Sequence, residues 1–176
     1  MLTHRLAVTA DLPALRTVMD RAIADLQKDF LGPAQIAASR AVMGLDTQLV
    51  ADGTYFLVEA EGRIAGCGGW SRRATLYGGD HSTELRDPAL LDPTTNAARI
   101  RAMYTDPDFA RRGVGRLVIS LCEDAARAAG FARAELMATL AGEPLYRACG
   151  YTPIAPVTAE SDGVAVPLIR MGKPLA

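Results

Sequence analysis

With 176 residues, 49% of them apolar and 22% charged, the chain is long enough to bury about two-thirds of its unfolded surface without covalent staples, and a single domain over 1–176 is the expectation. Lys and Arg number 19 against 20 Asp and Glu, a net charge of −1, so no global field exists to hold a nucleic acid or an anionic membrane surface, and the partner is expected to be small. Cys67, Cys122 and Cys149 form no Cys-x-x-Cys pair, which argues against a disulfide scaffold and a cysteine-rich zinc site and suits a reducing cytosol.

Residues 1–10 show neither a basic start followed by an apolar block nor a cleavage pattern, and no run of about eighteen apolar residues occurs, so a soluble, cytoplasmic protein is expected. Leu2, Arg5 and Ala7 read as a short extended lead-in. Thr9 or Asp11 can cap a helix whose early Pro13 needs no amide donor. Leu12, Leu15, Val18, Met19, Ala22, Ile23 and Leu26 give that helix one apolar stripe running to about Asp25. A weaker helical stretch covers roughly 33–43 and breaks at Gly44. Residues 54–60 and 64–70, joined at Glu61-Gly62-Arg63, predict a hairpin. The polar segment 71–98, with Gly78-Gly79 inside it, is too long for an idle connection and is expected to form part of a site.

Residues 99–105 alternate like a strand and stop at Asp106-Pro107. A helix then opens at Val114, with Val118, Leu121, Cys122 and Ala125 on one side and Gly130 placed to end it. Residues 131–138 predict a strand, 142–149 a short helix, and 151–157 and 164–171 two closing strands around Ser161-Asp162-Gly163. The order β-α-α-β-β-β-α-β-α-β-β predicts an α/β (α+β) fold, a mixed sheet with helices on both faces.

Residues 110–116, Ala-Arg-Arg-Gly-Val-Gly-Arg, carry the strongest chemical signal. A helix N-terminus exposes unpaired amide donors and a partial positive charge, so a phosphate lodges there when no side chain blocks the approach. Gly113 and Gly115 remove the obstruction, and Arg111, Arg112 and Arg116 add charge around a bound anion. A glycine pair by itself serves close helix packing equally well. A Rossmann fingerprint needs a third glycine where Val118 stands, and a P-loop needs Gly-Lys-Ser/Thr, which the chain lacks. The pattern suits a pyrophosphate outside those two nucleotide classes.

The stretch 99–151 resembles the GCN5-related N-acetyltransferases (GNAT family). In that family a strand, a Gln/Arg-x-x-Gly-x-Gly/Ala loop and a helix hold the coenzyme A pyrophosphate, while the strand's backbone pairs with the pantetheine arm. Met103, Tyr104 and Thr105 match that strand, and Gly113, Val114, Gly115 and Arg116 match the loop. The family's Gln/Arg position falls on Ala110, with Arg111 and Arg112 beside it. Leu145-Tyr146-Arg147-Ala148-Cys149-Gly150-Tyr151 is similar to the family's tyrosine, three-residue spacer, glycine and aromatic. The resemblance implies a mixed, mostly antiparallel twisted sheet of six to seven strands flanked by about four helices. It also implies acetyl-CoA as co-substrate, no metal, and an N-acetyltransferase acting on a primary amine of a small molecule or peptide. Family members often pair, which leaves a homodimer open.

Acetyl transfer needs a neutral amine, a polarised thioester carbonyl and a proton for the departing thiolate. The resemblance makes Tyr146 the general acid; the bland alternative is a tyrosine packed beside the cofactor. Backbone amides around Met103 and Tyr104 would polarise the carbonyl. His81 and Glu84 are base candidates, set against a reading as solvated loop residues and against proton loss through ordered water. With only His4 besides, they make a poor metal site. Trp70 and Tyr77 are expected as core cover rather than acceptor-pocket walls. No cysteine stands beside a partner base, so direct attack in a ternary complex is expected. Two rivals stay open: a catalytically idle acyl-CoA sensor, and a transferase using a longer acyl-CoA.

Overall fold

Leu15, Val18, Met19, Ala22 and Ile23 are all buried, so the apolar stripe sets the buried side of α1 (Leu12–Asp25), with Pro13 in its first turn where no donor is required. Asp11 does not cap it through its side chain. Its carboxylate turns back to accept the Val8 amide at 2.8 Å and the Arg5 guanidinium at 2.8 Å. In the computed structural model, which describes residues 1–175, the elements follow as β1 (Thr3–Leu6), α1, α2 (Pro33–Ser39), α3 (Thr47–Ala51), β2 (Tyr55–Ala60), β3 (Arg63–Ser71) and β4 (Ala98–Thr105). After these come α4 (Val114–Ala128), β5 (Arg133–Thr139), α5 (Glu143–Ala148), β6 (Thr152–Ser161) and β7 (Val164–Pro174).

The strands form one seven-stranded sheet in the order β1-β2-β3-β4-β5-β7-β6. Every neighbouring pair is antiparallel except β4 with β5. This is the mixed, mostly antiparallel sheet expected, with five α-helices rather than about four. The addition is α3, five residues whose single buried side chain, Leu49, leaves no helical period to read. The second helix stops at Ser39 instead of Met43, and residues 40–46 run on as irregular chain against the sheet.

Helices cover both faces. Leu15, Ile23 and Leu49 pack with Tyr55, Leu57, Cys67 and Tyr104 on one side. Val114, Val118, Ile119 and Cys122 of α4 pack with Val58, Ala65, Ile100 and Leu136 on the other. Burial of these apolar side chains is the main stabilising term, each contributing about 1.5–3 kcal/mol before conformational entropy is subtracted.

The sheet opens at its centre. β4 and β5 pair only at Ala98 with Ala134 and Arg99 with Glu135, although both strands continue. On the other edge of β4 the register jumps from Arg101 opposite Gly69 to Tyr104 opposite Cys67, so Ala102 and Met103 oppose Gly68 alone. This is a β-bulge, and it bends β4 away from β5. Ala102 takes a left-handed φ of 52° to make it. Beyond Arg99 the edge of β4 that faces β5 is left without a strand partner.

Candidate active site

Two cavities flank the parted strands. One, of ≈ 150 Å³, lies between Leu26 and Gln27, Thr105 at the end of β4, and Gly142 and Leu145 at the start of α5. The other, of ≈ 80 Å³, lies over the sheet face between Tyr77 and Gly78 of the 71–98 segment and Arg101, Met137 and Leu168. Both are bounded by Met43, Met103, Tyr104, Thr139 and Tyr146, so they adjoin along these five residues.

Tyr146 comes from α5, whose first turn follows Gly142. Its ring packs edge-on against Tyr151 at 6.2 Å, and the residue is 9% exposed. Burial pushes the phenol above its ordinary value. The strand residues singled out by sequence lie beside it: Met103 and Tyr104 border both cavities, and Thr105 the first. The Tyr104 side chain is committed elsewhere. Its hydroxyl accepts the Gly44 amide at 2.9 Å and donates to the Gly44 carbonyl at 3.2 Å, fixing residues 40–46 to β4.

At the start of α4, Gly113 has φ 83° and no side chain caps the helix, so the first-turn amides stay open to an anion. Val114 is buried in the core and anchors the first turn of α4. Gly115 abuts α5: a Cβ there would lie 2.6 Å from Leu145 Cδ2. The three arginines divide. Arg112 is turned away, bound to Glu61 at 2.7 Å and stacked 4.9 Å from the Phe109 ring centre. Arg111, at φ 64°, and Arg116 are exposed and form no ion pair among the described residues.

His81 and Glu84 lie elsewhere. Both are exposed and border a third hollow, against Ala159 and Glu160 of β6, which shares only Val42 and Tyr77 with the sheet-face cavity. The His81 Nε2 sits 2.6 Å from the Arg40 carbonyl oxygen. The structure therefore does not bring either base candidate to Tyr146. Trp70 is core, edge-on to Phe131 at 6.0 Å, while Tyr77 walls the sheet-face cavity instead of covering core. Burial raises the Cys67 thiol to about 11 and also raises Cys122 and Cys149, which keeps all three protonated at neutral pH. Among the described residues no three His, Cys, Asp or Glu side chains gather to hold a metal, and no helix is long and apolar enough to cross a membrane.

Sequence reasoning passed over two buried polar residues at these cavities, Arg101 at 4% and Gln27 at 3% exposure. Arg101 was legible only as a polar position of an alternating strand. Gln27 follows α1, and nothing in the sequence distinguishes it from a solvated polar residue.

Residues 19–151 match the protein family described as the acetyltransferase (GNAT) family. No curated protein matches the chain. Among solved structures, the fold is similar to a GCN5-related N-acetyltransferase from Rhodopseudomonas palustris, with TM-score 0.71, 18% identity, 98% of this chain covered and 94% of that one. It is similar to yncA from Salmonella typhimurium, solved with its cofactor acetyl-CoA, with TM-score 0.65, 17% identity and coverage of 99% and 94%. A PaiA N-acetyltransferase from Thermoplasma acidophilum in complex with coenzyme A gives TM-score 0.65 at 12% identity, with 99% of each chain covered.

Proposed function

Because the chain belongs to the acetyltransferase (GNAT) family, we propose that it moves an acetyl group from acetyl-CoA to a primary amine of a small molecule or peptide, by direct attack in a ternary complex. The observation that carries this reading is that two cavities adjoin along residues that include Tyr146, beside the unpaired edge of β4. One side is suited to the donor's thioester arm and the other to the amine.

The residues present fit the donor. The uncapped amides of Val114, Gly115 and Arg116 take the pyrophosphate, with Arg111 and Arg116 adding charge. The unpaired backbone of β4 from Met103 to Thr105 runs beside the first cavity, where it can pair with the amides of the pantetheine arm. Acetyl-CoA supplies the activated acyl group. Backbone N–H groups at the bulge, around Met103 and Tyr104, polarise the thioester carbonyl. The amine nitrogen then forms the new N–C bond as the C–S bond breaks. Tyr146 donates its phenolic proton to the departing sulfur and regains one from water. The amine gives its proton to water, so this route uses neither His81 nor Glu84.

Incubation with acetyl-CoA and a panel of amino acids, polyamines and peptides, read by thiol release, tests the proposal. Release above the hydrolysis background with at least one amine supports it. Tight coenzyme A binding with no turnover on any amine contradicts it and favours an acyl-CoA sensor.

A further inference from the structure

The sheet-face cavity offers no free charge to what enters it. Of the residues around it only Arg101 is a cation and none is a carboxylate. The Arg101 side chain is 1% exposed, in close contact with the Asp46 carboxylate. Asp46 also holds Arg86, at 3.1 and 3.2 Å, and Asp80 lies near Arg101, so two guanidiniums are balanced by two carboxylates within the protein. Burial raises the Tyr104 and Tyr146 phenols, which keeps both neutral. Met43, Leu76, Met137 and Leu168 supply apolar lining. An ion drawn in here would give up water and meet no opposite charge, which is costly.

The cavity measures ≈ 80 Å³, room for roughly three to five water-sized groups at about 15–30 Å³ each. Along Val42 and Tyr77 it adjoins the third hollow, of ≈ 370 Å³, which His81, Glu84 and Glu160 border. Tyr77 is half-buried, and the chain beside it is fastened to the sheet. The Gly78 carbonyl accepts the Arg101 Nη2 at 3.3 Å, and Gly78 turns the segment with a φ of 100° that only glycine adopts readily. The buried guanidinium thus holds the segment that carries Tyr77.

We propose that the acceptor bears its primary amine on a short, uncharged, apolar arm of about three to five heavy atoms, and that Tyr77 sets this length by separating the sheet-face cavity from the outer hollow. The proposal rests on the acetyltransferase reading for the word "acceptor", but the selection it describes belongs to the cavity and is measurable without turnover. A second carboxylate or ammonium within that reach is selected against, which disfavours free amino acids and short diamines.

NMR titration of the protein saturated with coenzyme A tests this with acetylated products, whose amide nitrogen carries no charge of its own. The compounds are N-ethylacetamide, N-butylacetamide, N-octylacetamide, N-acetyl-γ-aminobutyrate and monoacetylated trimethylenediamine. The butyl compound is expected to bind about tenfold more tightly than the ethyl one, and at least about tenfold more tightly than the two with charged ends. The octyl compound should gain nothing over butyl in the parent and overtake it in Tyr77→Ala, while Tyr77→Phe keeps the parent's order. An unchanged coenzyme A affinity marks the variants as folded; where Tyr77→Ala fails to fold, Tyr77→Leu takes its place. Charged ends that bind as well as butyl, no binding by any compound, or an octyl preference that ignores Tyr77 overturns the proposal. Selective binding with no thiol release from acetyl-CoA and the corresponding amines leaves it standing and sinks the transferase reading instead.

Discussion

The Tyr55 hydroxyl donates a 2.8 Å hydrogen bond to the carbonyl of Ala102, the one strand residue of β4 held in a left-handed conformation. The bulge that parts β4 from β5 is thus fastened from the opposite side of the sheet's centre by a wholly buried ring on β2. Tyr55→Phe keeps the ring and removes the bond from the half-buried Ala102 carbonyl. Urea unfolding should show a loss of about 1–3 kcal/mol, accompanied by a lower kcat with little change in coenzyme A affinity. A variant as stable and as active as the parent would detach the bulge from this contact.

Gly115 and Leu145 form a second coupled pair, because a Cβ at 115 would press into Leu145. Gly115→Ala should therefore destabilise by about 1–3 kcal/mol through overpacking, and weaken coenzyme A binding, since Leu145 borders the first cavity. Adding Leu145→Ala should recover part of both losses. Strict additivity in the double-mutant cycle would mean the two helices relax apart instead.

The arginines of the loop should not be equivalent. Arg112 is engaged with Glu61 and Phe109, whereas Arg111 and Arg116 are exposed without an ion pair. Substituting Arg111 or Arg116 by Ala should weaken coenzyme A several-fold and flatten the salt dependence of its Kd. Arg112→Ala should do so less. Equal losses at all three positions, measured by titration at two ionic strengths, would show that Arg112 leaves Glu61 when phosphate arrives.

Tyr146→Phe should lower kcat by about 10²-fold while coenzyme A affinity holds. Because burial raises the phenol above its ordinary value, the acid stays protonated through the alkaline range. The kcat profile of the parent should then rise with pH as the amine loses its proton, and show no fall below about pH 10. A descending limb between pH 7 and 9, lost in the Phe variant, would contradict a raised phenol.

Acid stability provides a further check. Asp52, at the end of α3, is held below its ordinary value first by its hydrogen bonds to the Arg73 guanidinium, at 2.8 and 2.9 Å. A lowered carboxylate contributes stability above the unfolded value of 3.8, and that contribution is lost as the pH falls through the lower folded value. Asp52→Asn should cost about 1 kcal/mol or less at pH 7, and should unfold with a shallower acid dependence below pH 4 than the parent. Identical acid limbs would show that the pair contributes nothing.

Much of this architecture was legible because it rests on local periodicity. The stripe from Leu12 to Ile23 set α1, Gly130 ended α4 in a left-handed residue, and Asp162 and Gly163 made the final hairpin turn. The uncapped loop at Gly113 was also visible, since it depends on residue type at consecutive positions. What escaped depends on pairing across long separations. A left-handed alanine carries no sequence signal, so the bulge at Ala102 and the cleft it opens could not be read. The 71–98 segment was expected to form part of a site, and its Tyr77 and Gly78 border the sheet-face cavity, but its course is fixed by Arg73 on Asp52 and Arg86 on Asp46, pairings that only the folded chain brings together. For the same reason His81 and Glu84 looked available while standing over a separate hollow, and Arg101 looked ordinary while bordering the sheet-face cavity.

The central claim is that the two adjoining cavities bordered by Tyr146 carry an acetyl group from donor to amine. Mass analysis of amine acceptors after incubation with acetyl-CoA, alongside quantification of free coenzyme A, tests it most directly. The account predicts an amine one acetyl group heavier, formed mole for mole with coenzyme A and much more slowly by Tyr146→Phe. Coenzyme A released without acetylated amine, or acetylation at full rate by the Phe variant, would contradict it.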